Sequence, residues 1–179
     1  MKLKLLILVL SLQTAWALYT VVQQERVLSY GSAIMLETQR IDPRDLLRGD
    51  YLILNYKISD IPTNLFSPPL PRNPAAGTAV YVVLTQHGKF YEPLRASTQS
   101  LAPAAGEVLL LGNSGLARWN SPSSVHVEYG LERYYVHEGA GNIGGSITVE
   151  VAASGDGHAT IKQVFVNGKP YAEAIKPAR

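Results

Sequence analysis

Asp42, Arg44, Asp45, Arg48 and Asp50 place five charged side chains within nine residues, and Tyr51 and Tyr56 follow at once. Three carboxylates and two guanidiniums at this density can do acid–base work, hold a charged ligand, or neutralise one another as scaffolding. A second mixed-charge segment carries Arg133, His137 and Glu138, and four glycines follow between residues 139 and 145. His137 beside Glu138 is an acid–base pair in type, and the glycines would let backbone approach a ligand closely. No Lys-Ser or Lys-Thr follows the glycines, so this is not a phosphate loop. His87, His126, His137 and His158 lack metal-ligand spacing, although folding could bring His126 and His137 together. No metal or cofactor is expected. The candidate binding residues are Asp42, Arg44, Asp45, Arg48, Asp50, Tyr51, Tyr56, Arg133 and Glu138, and none is assigned a catalytic role.

Local structure must position these groups. Asp42 before Pro43 is a helix-start signal, because the carboxylate accepts from free N–H groups and proline has no N–H to waste. Gly49 is a natural stop, so Pro43 to Arg48 should make one helical turn. A strand then begins at Tyr51. Its even positions Leu52, Leu54, Tyr56 and Ile58 should face the core, with Tyr51, Ile53, Asn55 and Lys57 opposite. Gln23 to Tyr30 reads as a short helical stalk ended by Gly31, and Ala33 to Thr38 as the first strand. Residues 60–78 carry five prolines and read as a long, stiff loop. Ala79–Leu84 and Phe90–Ala96 flank Gln86-His87-Gly88-Lys89 as a hairpin. Glu107–Leu111, Ser124–Tyr129, Ile147–Ala152 and Thr160–Val166 are further strands, and Asn167-Gly168 is a strong hairpin turn. The expected fold is mainly β, an antiparallel barrel or sandwich with short helical turns, preceded by one N-terminal hydrophobic helix.

The chain of 179 residues is long enough for one domain with a real core, taken as residues 26–179. Charged residues are 17%, below the usual quarter, and the formal charge of +2 equals the contribution of Lys2 and Lys4 alone. Without a basic patch, no nucleic-acid partner is expected. There is no cysteine, which excludes disulfides, thiol catalysis and thiolate metal sites. Residues 1–25 form an export signal or anchor. Met1-Lys2-Leu3-Lys4 is a basic start, Leu5 to Leu12 is apolar, and Ala15-Trp16-Ala17 fits a cleavage site. The apolar character continues to Val22, and the bulky Trp16 opposes cleavage. An anchor through residues 5–22, with the domain in the periplasm or otherwise outside the cytoplasm, is the favoured reading. Secretion to the periplasm after cleavage at Ala17 is the alternative.

Gly49, Asp50, Tyr51, Leu54 and Tyr56 resemble the signature of the bacterial GDYXXLXY family. Tyr129-Gly130 through Val136, Glu138 and Gly139 resembles a second segment of the same proteins, and residues 159–168 a third. The resemblance covers most of residues 31–168. It implies a small exported or membrane-anchored protein, with no established activity to carry over. Asp42-Pro43 followed by Gly49-Asp50 is also similar to the box of signal-peptidase and LexA-type serine peptidases. Their nucleophilic serine lies three residues before the proline, where this chain has Arg40, and no serine occurs between Ser32 and Ser59. A Ser–Lys dyad needs that hydroxyl, so any kinship would be architectural. The leading expectation is a non-enzymatic, membrane-associated binding protein that engages another envelope protein. The alternatives are a hydrolase built around Asp42, Asp45, Asp50 and Glu138, and a small-ligand or peptidoglycan-fragment binder using tyrosines and the glycine-rich loop.

Overall fold

The computed structural model describes residues 2–39, 51–69, 75–115, 123–136 and 145–174. The expected helical turn with Asp42, Arg44, Asp45, Arg48, Gly49 and Asp50 lies outside the described residues, as do His137, Glu138 and all but the last residue of the glycine-rich segment.

Helix α1 (Lys2–Tyr30) is apolar on every side over its first two-thirds, which suits a protein core or a lipid bilayer. None of its apolar window is buried within the domain, and the helix is long and apolar enough to cross a membrane. Gln23–Tyr30 is therefore no separate stalk but the continuation of α1. Gly31 ends the helix by donating its N–H to Val27 O at 2.9 Å. A Cβ at Gly31 would lie 2.4 Å from Val27 O and 3.0 Å from Ala153 O. Glycine thus allows the base of the helix to meet the domain.

Eleven strands follow among the described residues: β1 (Ser32–Glu37), β2 (Tyr51–Ile53), β3 (Asp60–Pro62), β4 (Ala79–His87), β5 (Phe90–Ser97), β6 (Glu107–Ser114), β7 (Ser124–Glu128), β8 (Arg133–Tyr135), β9 (Ile147–Ala153), β10 (Ala159–Val166) and β11 (Lys169–Pro170). A short helix α2 (Tyr171–Ala174) closes the described chain. The strand ladders are antiparallel and form three sheets, ordered β1-β9-β10-β11, β2-β8 and β3-β7-β6-β4-β5. Among the described residues the ladders do not join the sheets into a closed barrel. All three share one core. Ile34, Leu36, Val149, Val151 and Val164 come from the first sheet, Leu52 and Leu54 from the second strand and its continuation, and Val80, Val82, Leu110, Val125 and Val127 from the third sheet. The two larger sheets meet where Leu111 N–H donates to Gly157 O at 2.8 Å. Asn167 and Gly168 turn β10 into β11 with φ of 51° and 79°, the pair of positive angles that a type I′ hairpin needs.

Two further sequence expectations need correction. The strand expected from Tyr51 through Ile58 stops at Ile53 because the chain changes partners. Leu54 N–H donates to Glu132 O at 2.8 Å, Tyr56 bridges to Thr38, and Lys57–Ser59 form a 3-10 turn. The alternation survives that change: Leu52, Leu54, Tyr56 and Ile58 are all buried. Residues 60–78 are not one loop either. Asp60–Pro62 is strand β3 on β7, Thr63–Leu65 is a 3-10 turn, and Phe66 bridges to Ala96. Pro62 is tolerated because β3 is the edge of its sheet, where a missing N–H costs no ladder bond.

Candidate functional site

The first two resemblance segments lie side by side. In the two-stranded ribbon Tyr51 opposes Tyr135, Leu52 opposes Tyr134 and Ile53 opposes Arg133. Because strand side chains alternate, the ribbon has an inner and an outer face. Leu52 is buried, and Tyr134 packs edge-on against Tyr171 at 5.6 Å between ring centroids. Tyr51, Arg133 and Tyr135 share the outer face. The Tyr51 and Tyr135 rings are 6.0 Å apart, and the Arg133 guanidinium carbon lies 5.6 Å from the Tyr51 ring centroid. That is cation–π distance. Tyr135 is 73% exposed, and outside α1 the other large apolar side chain exposed among the described residues is Leu94 at 42%.

Behind this face the seam is cross-braced. Tyr56 Oη donates to Leu131 O at 2.8 Å, and Tyr129 Oη donates to Ile58 O at 2.8 Å. Each segment thus sends one buried hydroxyl to a carbonyl of the other. Glu132 accepts the N–H of Tyr129, which fixes the turn between the hydroxyl donor and strand β8. Burial, and secondarily the Glu132 carboxylate, pushes the ionisation of Tyr56 far above its ordinary range. Burial does the same to Tyr129, with Glu132 and Asp60 adding. Both hydroxyls therefore remain protonated donors. Tyr56, a candidate binding residue by sequence, is fully buried and committed to this brace.

A third arrangement was not legible in the sequence. His126 Nδ1 lies 2.8 Å from Asp60 Oδ1, and Gln39 Nε2 donates to Asp60 Oδ2 at 3.0 Å. Asp60 and His126 are direct partners in the β3–β7 ladder, so strand pairing creates the contact. Neither Asp60 nor Gln39 belongs to a motif, and only the pairing could have revealed them. A carboxylate on Nδ1 orients an imidazole as a general base is oriented, and it also pins an edge strand. Gln39 is the last described residue before the charged run, and Tyr51 is the first described residue after it. Among the described residues no three metal-ligating side chains are close enough to hold an ion.

The structure thus brings together Tyr51 and Arg133, separates Tyr56 from them on the opposite face, and leaves the remaining six candidates outside the described residues. Segments one and two form a structural seam through the β2–β8 ladder and the two tyrosine hydroxyls. The third resemblance segment is β10 and its turn, in another sheet. No curated protein and no solved structure matches the chain. A family model described as GDYXXLXY protein matches residues 13–164, from the middle of α1 into β10. By that match over most of its length, the chain, whose first two motif segments build this seam, belongs to the GDYXXLXY family.

Proposed function

We propose that this protein is a membrane-anchored binding module that holds a Tyr51–Arg133–Tyr135 face outside the cytoplasm for another envelope protein. The observation that carries the proposal is the exposure of Tyr135 beside Tyr51 and Arg133, on a domain whose other described large apolar side chains, Leu94 apart, are buried or half-buried. Tyrosine and arginine are the residue types that anchor protein interfaces, and the two-stranded ribbon presents them on a rigid backing. Lys2 and Lys4 favour retention of the N-terminus inside, which directs the domain outward.

The test is site-specific photo-crosslinking in intact membranes, with the crosslinker at Tyr135 and, as control, at Leu94, the other exposed large apolar position described outside α1. A protein adduct from position 135 and none from 94 supports the reading. Equal adducts, or none from either, would overturn it. A reporter active only in the cytoplasm, fused after Arg179, should be silent. The hydrolase reading keeps one observation in its favour, the Asp60–His126 pair with Gln39 on the same carboxylate. Turnover of esters or amides that is lost in His126→Gln but kept in Tyr135→Ala would select it instead.

A further inference from the structure

Gly31 seats the base of α1 against the end of β9, and the β9–β10 turn folds back beside the helix. Between them runs a groove of about 480 Å³. Gln23, Arg26 and Tyr30 line its helix wall, and Asp156, His158 and Thr160 line its domain wall. Its depth relative to a bilayer follows from the helix. Residues 5–22 span roughly 27 Å at about 1.5 Å per residue, close to the ~30 Å hydrocarbon core. Trp16 and Tyr19 pack together at 6.3 Å, and Gln23 Nε2 donates to Tyr19 Oη at 2.9 Å. Tyr19 lies within one turn of the end of that span, and its hydroxyl is held by Gln23 just beyond it, as suits an aromatic near the membrane–water boundary. Arg26 comes two turns after Tyr19, so the groove opens at the level of the lipid headgroups.

The charges in the groove are of both signs. Arg26 is exposed and forms no salt bridge among the described residues. On the other wall Asp156 accepts from Ser154 Oγ and, at 3.4 Å, from His158 N–H. The Ser154 hydrogen bond is the largest of the effects that hold the Asp156 carboxyl below the usual carboxylate range, so it is anionic at neutral pH. A ligand carrying negative charge alone would meet that carboxylate. A zwitterion whose ammonium keeps N–H donors for that carboxylate would satisfy both walls, which a quaternary ammonium would not.

We propose that this groove binds the headgroup of an aminophospholipid from the leaflet on the domain side, with Arg26 meeting the phosphate and Asp156 meeting the ammonium. The inference rests on the anchored reading of residues 5–22. It is independent of the Tyr51–Arg133–Tyr135 face. Bound there, the lipid would clamp helix and domain at a fixed angle, because its two charges are held from the two sides of the junction.

Native mass spectrometry of the full chain, released from nanodiscs of phosphatidylcholine doped with phosphatidylethanolamine or with phosphatidylglycerol, tests this. The expected result is one retained phosphatidylethanolamine per chain, in preference to phosphatidylglycerol. Arg26→Gln should reduce retention about tenfold, the worth of one charge-assisted bond to phosphate. Asp156→Asn should remove the preference between the two lipids while binding persists. Both side chains are exposed, so neither variant threatens folding. An intact chain that retains no lipid, equal retention of both lipids by the wild-type chain, or retention indifferent to both variants would overturn the headgroup site. A chain from native membranes whose mass begins at Leu18 would overturn the anchor and the site with it, and the mass separates that failure from the others.

Discussion

Removing the two brace hydroxyls should weaken the domain, and in a manner that depends on pH. Tyr56→Phe and Tyr129→Phe each delete one hydroxyl and keep the ring. In each case a buried carbonyl, Leu131 O or Ile58 O, loses its donor. A buried acceptor left unpaired costs about 1–3 kcal/mol. For a chain of this size each kcal/mol moves the melting temperature by roughly 2–4 °C. Each single variant should therefore melt about 2–12 °C lower. The two bonds span the same seam, so breaking one loosens the other, and the double variant should lose less than the sum by about 0.5 kcal/mol or more. Ionisation supplies the second signature. An unfolded tyrosine ionises near pH 10, whereas burial holds both tyrosines protonated well beyond it. A folded group with a raised pKa contributes stability that is complete below the unfolded value and is lost as pH rises above it. Stability should be level below about pH 10 and then fall, each tyrosine adding up to ~1.4 kcal/mol per pH unit to the slope. Melting of the full chain in detergent, read by circular dichroism from pH 8 to 11, measures both signatures. The double Phe variant should start lower and fall less steeply. Single variants that melt with the wild type, or a double variant with the wild-type alkaline slope, would refute the brace.

Two further outcomes follow from close contacts and charge. Gly157 has φ of 93°, and a Cβ there would lie 2.9 Å from Leu111 N, where the two larger sheets meet, so Gly157→Ala should cost about 1–3 kcal/mol by urea unfolding, while Gly155→Ala, with no atom near its Cβ, should cost less. Arg95 donates to both carboxylate oxygens of Glu107, at 2.9 and 2.7 Å, and Ala104 N–H donates to the same carboxylate at 2.8 Å. The Arg95 hydrogen bond is the largest cause holding the Glu107 carboxyl below its ordinary value near 4.5, so its contribution is present above that pH and is lost as pH falls through the lower folded value. Glu107→Gln should flatten the acid limb of the stability–pH curve and leave the alkaline limb unchanged.

Much of the fold was legible because it is written in short-range patterns. The β4–β5 hairpin follows from two apolar strands about His87-Gly88, and the β10–β11 hairpin from Asn167-Gly168. Burial of Val125, Val127 and Tyr129 follows from plain alternation. What sequence could not supply was partner choice. Strand β8 is three residues long and has no apolar alternation of its own, so it exists because β2 lies beside it. Strand β3 hid under Pro62 because edge position, which excuses a proline, depends on which strand is outermost. The Asp60–His126 contact depends on the same pairing, 66 residues apart in sequence.

The family signature itself divides by parity. Tyr51 and Tyr56 are five residues apart, an odd number, and an odd separation along extended chain puts two side chains on opposite faces. Leu54 and Tyr56 are an even distance apart, and both are buried. The signature therefore contains two kinds of requirement. Leu54 and Tyr56 hold the seam together, one by burial and one by a hydroxyl donated to Leu131 O. Tyr51 takes no part in that burial and spends its ring on Arg133 and Tyr135 at the surface. A chain without cysteine cannot staple such a seam with a disulfide, and the reciprocal tyrosine hydroxyls supply the cross-links instead. Rigidity of the backing and exposure of the face then come from the same few residues. A substitution at Tyr56 is expected to act on both, whereas one at Tyr51 is expected to change the face and leave the fold standing. Comparing Tyr51→Ala with Tyr56→Phe, by melting temperature and by crosslinking from position 135, separates the two roles. Tyr51→Ala should lose the adduct at unchanged melting temperature, and a fall in stability equal to that of Tyr56→Phe would show that the division by parity is wrong.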